Sequence, residues 1–266
     1  MKKLAFYALA ACAAAMTACE QAGGGRVIVP AGRWFTGAIH LRSECELRLE
    51  KDSELVFSQD PQDYLPAVPT SWEGIECWNY SPLVYAYCCT NVAIVGSGTL
   101  RAFDGDFKDS FWKRWSSPEL VRPTRRLLYD WGATDYPVEK RRMTEVERPF
   151  LRPPFIQFNR CHAITLDGFK VRESPFWTIH LYHSFYANIR NLDVEGRAGN
   201  NDGLDVEMTS NVFVERCRFN QGDDTFVFEK GVSAHLGERP SVLIVEKGML
   251  RGRARGRVMT LSSGNH

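Results

Sequence analysis

No hydrophobic run in this chain is long enough to cross a bilayer and stay there. The most apolar segment, Leu4 to Met16, falls short of the ~20 residues a spanning helix needs. Neither sign of charge is in excess: 33 Lys and Arg stand against 32 Asp and Glu, a net +1. That balance argues against a nucleic-acid partner or a polybasic membrane contact. Eight cysteines are present, yet no Cys-x-x-Cys pair is matched by a second pair at zinc spacing, so no metal is expected. Adjacent Cys88 and Cys89 cannot face one side of a strand. Cys161 and Cys217 fall at matching places in strand-like repeats and read as small core residues, and no disulfide is assigned. Helical periodicity is missing beyond the N-terminus, and Asn-Gly or Asp-Gly loops between paired strands are scarce. The second shortage disfavours a sandwich or propeller built of antiparallel hairpins. What remains is 266 residues, 44% of them hydrophobic, enough for one large domain or two small ones.

The N-terminus supports two readings. Lys2 and Lys3, the apolar run and the small residues up to Cys19 have the layout of an export signal. Met16-Thr17-Ala18-Cys19 resembles a bacterial lipoprotein signal, which would place a lipid anchor on Cys19. The stretch from Ala13 to Ala22 is equally good helix, closed by Gly23-Gly24-Gly25. The Lys-Lys start favours export. The expectation is a signal peptide of lipoprotein type over 1–19, a single domain over 20–266, and an exported protein in the periplasm, the outer membrane or the medium.

An internal repeat sets the architecture. Asn91-Val92-Ala93-Ile94, Cys161-His162-Ala163-Ile164, Tyr186-Ala187-Asn188-Ile189, Asn211-Val212-Phe213-Val214 and Ser241-Val242-Leu243-Ile244 align, with last residues 70, 25, 25 and 30 positions apart. A second apolar segment follows in most units (Gly98-Thr99-Leu100, Phe169-Lys170-Val171, Leu192-Asp193-Val194, Arg218-Phe219). A third completes several (Trp177 to His180, Leu204 to Glu207, Thr225 to Phe228). Three short strands in about 25 residues, repeated in register, describe one turn of a parallel β-helix. The segment from Phe103 to Pro154 interrupts the repeat. Its Trp112, Trp115, Tyr129, Trp131 and Tyr136 lie among many Arg and Lys residues. They can fold on one another, or wall a groove in which rings stack on sugars and Arg forks meet carboxylates.

Acidic residues concentrate in one place. Asn200-Asn201-Asp202-Gly203-Leu204-Asp205-Val206-Glu207 is followed by Gln221-Gly222-Asp223-Asp224-Thr225, with Asp202 and Asp223 21 positions apart. Turn chemistry accounts for the glycines and one Asp in each cluster. It does not account for the doubling. In a solenoid Asp202 and the Asp223-Asp224 pair head the same strand in successive turns. Grouped carboxylates on a groove suit glycoside hydrolysis, which needs an acid for the leaving oxygen and a base for water. Calcium would need six to eight oxygens, more than the sequence offers. Asp205 and Glu207 read more plainly as outward residues of a strand whose Leu204 and Val206 face in.

Asn200-Asn201-Asp202-Gly203 with Gly222-Asp223-Asp224 resembles the paired signature of the polygalacturonases, glycoside hydrolase family 28. The runs from Gly23 to Gly32 and from Gly96 to Leu100 support the resemblance, and Ser174-Pro175-Phe176-Trp177-Thr178-Ile179-His180 is similar to the bacterial members in particular. The resemblance implies a right-handed parallel β-helix and inverting hydrolysis of α-1,4-galacturonosyl bonds in pectin. No cofactor is implied. It implies Asp223 as general acid and Asp202 with Asp224 as activators of water. Asn200 and Asn201 would contact the pectic polysaccharide or oligogalacturonide. The resemblance assigns no role to His180, which reads as a hydrogen-bonded residue at the groove edge, where substrate binds. The large insertion suggests exo action by a monomer. The family's Gly-His-Gly and Arg-x-Lys motifs are not found after Gly231, so a solenoid truncated at one or both ends is expected, with exposed strand edges and weak activity. A non-catalytic pectin-binding β-helix is the alternative, and a calcium-dependent lyase a weaker third.

Overall fold

Every turn of the chain is built from the same alternation. The computed structural model describes residues 12, 14–229, 243–246 and 249–255. On the first face lie β1 (Gly25–Val29), β4 (Cys45–Leu49), β9 (Thr90–Gly96), β12 (His162–Asp167), β15 (Phe185–Arg190), β18 (Ser210–Glu215) and β20 (Leu243–Glu246). The second face carries β2 (Gly32–Thr36), β5 (Ser53–Phe57), β10 (Thr99–Arg101), β13 (Lys170–Arg172), β16 (Asp193–Glu195) and the start of β19 (Arg218–Glu229). The third carries β3 (Ile39–His40), β8 (Val84–Tyr87), β11 (Ile156–Asn159), β14 (Ile179–Tyr182), β17 (Leu204–Glu207) and the end of β19. All these neighbours pair in parallel, and β21 (Met249–Arg255) adds to β19. This is a parallel β-helix, as the repeat requires.

Inward residues form ladders along the axis. Val84, Ile156, Ile179, Leu204 and Phe226 stand in register on the third face, each at most 2% exposed. Fully burying such a side chain contributes roughly 1.5–3 kcal/mol, and stacking turns makes the core continuous. Corners are turned by single left-handed residues. Cys88, Arg160, His183 and Met208 lie between the third face and the first with φ of 47–56°. Gly96, Gly168, Asn191 and Arg216 lie between the first and the second. Only glycine fits at 96, where a Cβ would fall 2.0 Å from the carbonyl oxygen of Leu49.

Register departs from the repeat alignment in two places. Ile94 pairs with Leu166 and Leu166 with Ile189, so the Cys161 unit is shifted by two positions. A shift of two leaves the inward set on the core side, which is why the architecture survived the misalignment. Val214 pairs with Val245 rather than Ile244, a shift of one. Cys161 and Cys217 are both buried but not at matching places. Cys161 precedes β12 beside Cys89, whereas Cys217 sits between β18 and β19 beside Leu192.

Three elements escaped the sequence reading. An antiparallel hairpin, β6 (Val68–Trp72) and β7 (Ile75–Asn79), closes on Glu73 and Gly74, both with positive φ as a type I′ turn requires. Two helices fill the insertion, α2 (Phe111–Trp115) and α3 (Pro118–Ala133), contrary to the expectation of no helix beyond the N-terminus. Pro123 and clustered arginines mask the stripe of Val121, Thr124 and Leu128 that α3 turns inward. Trp112 and Trp115 pack against Tyr64, Tyr80 and Phe111, so those rings serve the fold and not a sugar.

At the front, residues 14–21 form a helix, α1, ahead of the turn at Gly23 and Gly24. Met16 is fully buried and Cys19 nearly so, and both belong to the core cluster that includes Val29 and Leu47 of the first two turns. Cys19 is bonded to Cys45. Its sulfur is the one on which a lipoprotein-type signal would place a lipid.

Candidate active site

The two acidic clusters meet because Leu204 of β17 and Phe226 of β19 are register partners with buried side chains. That pairing sets the preceding residues side by side. The amide of Gly203 donates to the carbonyl of Asp224 at 2.9 Å, and the amide of Thr178 donates to that of Asp202 at 2.8 Å. Asp202 and Asp224 therefore head adjacent strands, ~4.8 Å apart along the axis.

The residues just ahead of Leu204 and Phe226 are cross-linked reciprocally. The backbone amide of Asn200 donates to Oδ2 of Asp223 at 3.2 Å, and the amide of Gly222 donates to Oδ1 of Asn201 at 3.1 Å. Asn200 takes a left-handed φ of 58°, a conformation asparagine tolerates better than most residues. Gly203 is obligatory in this arrangement, since a Cβ there would fall 2.6 Å from the carbonyl oxygen of Thr225. The motif residues thus fix one another across two turns.

Exposure divides the expected site residues. Asp223 is half-buried and Asn200 exposed, while Asp202 keeps 7% and Asp224 5% of their surface. Asn201 is fully buried. Its side chain holds the Asp223-Asp224 loop, so it supports the site from behind instead of facing a sugar. The Thr178 and Thr225 hydroxyls flank Gly203 and are buried without a hydrogen-bond partner among the described residues, as is the side-chain amide of Gln221. Buried polar groups of this kind need a ligand or water.

His180 is not at a groove edge. It is fully buried beneath the β6–β7 hairpin, and both ring nitrogens are occupied. Nε2 of Gln157 lies 2.8 Å from its Nδ1, and its Nε2 lies 3.0 Å from Oε2 of Glu207. The Thr70 hydroxyl donates to Oε1 of Gln157, which leaves the Gln157 NH₂ to face the ring. Nδ1 of His180 accepts, and Nε2 donates to Glu207. The Ser71 hydroxyl reaches both oxygens of that carboxylate. Glu207 and Asp205, read from sequence as outward, alternate with the core residues Leu204 and Val206, yet they are only 1% and 2% exposed, Glu207 beneath Ser71 of the hairpin.

Two charged residues beside the site were not singled out from sequence. Glu73, at the hairpin tip, is held above the usual carboxylate range by burial, against the opposing pull of Tyr129 and Arg125. Arg152 lies 3% exposed against Phe176, which stacks on Trp72. Its only sequence signal is its place at the end of the insertion, just ahead of β11. Among the described residues no group of three or more His, Cys, Asp or Glu is arranged to hold a metal ion.

A parallel β-helix with carboxylates gathered at the heads of successive strands defines a class of solenoid proteins that act on polysaccharides. The sequence model described as "Glycosyl hydrolases family 28" matches residues 144–239, which include both acidic motifs. A Vitis vinifera protein described as "Probable polygalacturonase" is 25% identical over 221 residues, 79% of this chain and 38% of that protein. The structure of a hyperthermoactive exopolygalacturonase from Thermotoga maritima superposes with a TM-score of 0.79 at 35% identity, covering 89% of this chain and 58% of that one. A family 28 exopolygalacturonase from Yersinia enterocolitica shares the fold, with a TM-score of 0.64 at 20% identity over 90% of this chain and 46% of its own. Over residues 144–239, which hold both acidic motifs, the chain matches glycoside hydrolase family 28, and its fold is the right-handed parallel β-helix. It spans well under two thirds of the length of these relatives.

Proposed function

We propose that this protein hydrolyses α-1,4-galacturonosyl bonds of pectic galacturonan with inversion at the anomeric carbon. The observation that carries the reading is the reciprocal cross-link between the two acidic loops, which gathers three carboxylates of different exposure at one place. Asp223, the most accessible, gives its proton to the glycosidic oxygen as the bond to the anomeric carbon breaks. A water attacks that carbon from the opposite face. Asp202 and Asp224 take the proton that the water releases. Asn200, exposed beside Asp223, contacts the sugar.

Action from a chain end follows from the roof. The hairpin covers the outward residues Gln157, Asn159, His180 and Tyr182 on the turns before the catalytic one. A groove on this face is closed toward the N-terminal turns, so a sugar chain must end there. Export fits the Cys19–Cys45 disulfide, which forms in oxidising compartments, and the charge balance suits a monomer without nucleic-acid partners. Incubation with polygalacturonate tests the reading. New reducing ends, released first as monogalacturonate and without an unsaturated product, are expected. An unsaturated product would mean a lyase, a ladder of oligomers would mean endo action, and binding without cleavage would leave a pectin-binding protein.

A further inference from the structure

Arg152 is buried without the partner such a charge ordinarily has. Its Nη1 donates to the carbonyl oxygens of Pro175 at 2.5 Å and Gly199 at 3.3 Å, and its guanidinium carbon lies 5.5 Å from the centre of the Phe176 ring. Its Nε has no hydrogen-bond partner, and no carboxylate forms an ion pair with it, among the described residues. Burial draws its pKa down to about 10, partly offset by Glu73, so it remains a cation at neutral pH. An isolated buried cation is costly. Two neutral carbonyls are a poor return if the residue only fastens the insertion to the solenoid.

The location of the second carbonyl suggests more. Gly199 C=O and Asn200 N–H belong to one planar peptide group. Its oxygen accepts from Arg152 and its N–H donates to Oδ2 of Asp223. A cation on the oxygen side of a peptide polarises the group and strengthens the bond that its N–H makes.

We propose that Arg152 is a positioning residue for Asp223, acting through the Gly199–Asn200 peptide group to stabilise the carboxylate left when Asp223 protonates the leaving oxygen. The inference rests on the reading of Asp223 as the acid. In that step the proton passes from Asp223 to the glycosidic oxygen, which keeps the electron pair of the breaking C–O bond, and the negative charge appears on Asp223. A donor already aimed at that charge needs no reorganisation as the charge develops.

The test compares the full chain with Arg152→Met and Arg152→Lys on two substrates. One is an oligogalacturonide, whose sugar leaving group needs protonation; the other is 2,4-dinitrophenyl α-galacturonide, whose leaving group does not. Arg152→Met is expected to lower kcat on the oligogalacturonide by about tenfold or more, the scale of one charge-assisted hydrogen bond. KM should stay within about twofold, and the aryl substrate should be turned over nearly as before. Arg152→Lys should recover part of the loss. Equal losses on both substrates, or none on either, would overturn the inference while leaving the hydrolase reading intact. A wild type inert on both substrates would overturn the catalytic role and that reading together. Amide hydrogen exchange at Asn200 tests the bridge without turnover: exchange should be faster in Arg152→Met, and unchanged exchange would show that the peptide is not held by Arg152.

Discussion

The second and third faces of this solenoid carry the same alternation, and their outward residues have opposite fates. On the second face Glu54 takes Arg33 at 3.0 Å and Arg101 at 2.6 Å, with a quarter to nearly half of each side chain exposed. On the third face Gln157, His180 and Glu207 join Thr70 and Ser71 of the overlying hairpin in a continuous chain of hydrogen bonds in which no residue keeps more than 4% of its surface. Water competes for every charge in the first set and for almost none in the second. An exposed ladder is replaceable, whereas a roofed network is costly to break and must be satisfied throughout. The site lies at the edge of the roofed face, where polar groups are held too firmly to drift.

Three substitutions sharpen that contrast. Glu207→Ala leaves the His180 Nε2–H and the Ser71 hydroxyl without their acceptor in a dry site, and a loss of ~1–3 kcal/mol for each orphaned donor is expected in urea unfolding. A loss below ~1 kcal/mol would mean that the hairpin is held by something else. Ser71→Ala keeps the His180–Glu207 pair and removes a neutral donor, so ~1–2 kcal/mol is expected by the same measurement. Glu54→Gln on the open face should cost less than ~1 kcal/mol, and the difference should vanish in 1 M salt, where charges are screened beyond ~3 Å. A large, salt-resistant effect there would erase the distinction between the faces.

The third face also shows where sequence stops being informative. Leu204-Asp205-Val206-Glu207 reads correctly as two residues in and two out, because side chains alternate along any strand. Nothing in those four letters says that Ser71, 136 positions earlier, will cover Glu207. Hairpin turns are legible when they carry Asn-Gly or Asp-Gly, and Glu73-Gly74 is a weaker signal for the same backbone. The roof over His180 is therefore invisible from the residues around it. Asp202 and the Asp223-Asp224 pair, by contrast, could be set side by side from the repeat, since successive turns of a solenoid bring matching positions together. Asn201 was legible as part of the motif but not in its role, which depends on an amide of the next turn. The N-terminal helix was legible as one of two readings, and Met16 and Cys19 are packed as that reading requires.

The central claim is that Asp223 is the acid of a hydrolytic centre assembled from two cross-linked loops. It is tested most directly by measuring the release of reducing ends from polygalacturonate by the wild type and by Asp223→Asn. Asparagine matches the shape of aspartate and still accepts from the Asn200 amide, but it has no proton of comparable acidity to give. Turnover should fall by at least ~10²-fold, the scale of a lost general acid, with the thermal unfolding midpoint little changed. Undiminished turnover in Asp223→Asn would contradict the account.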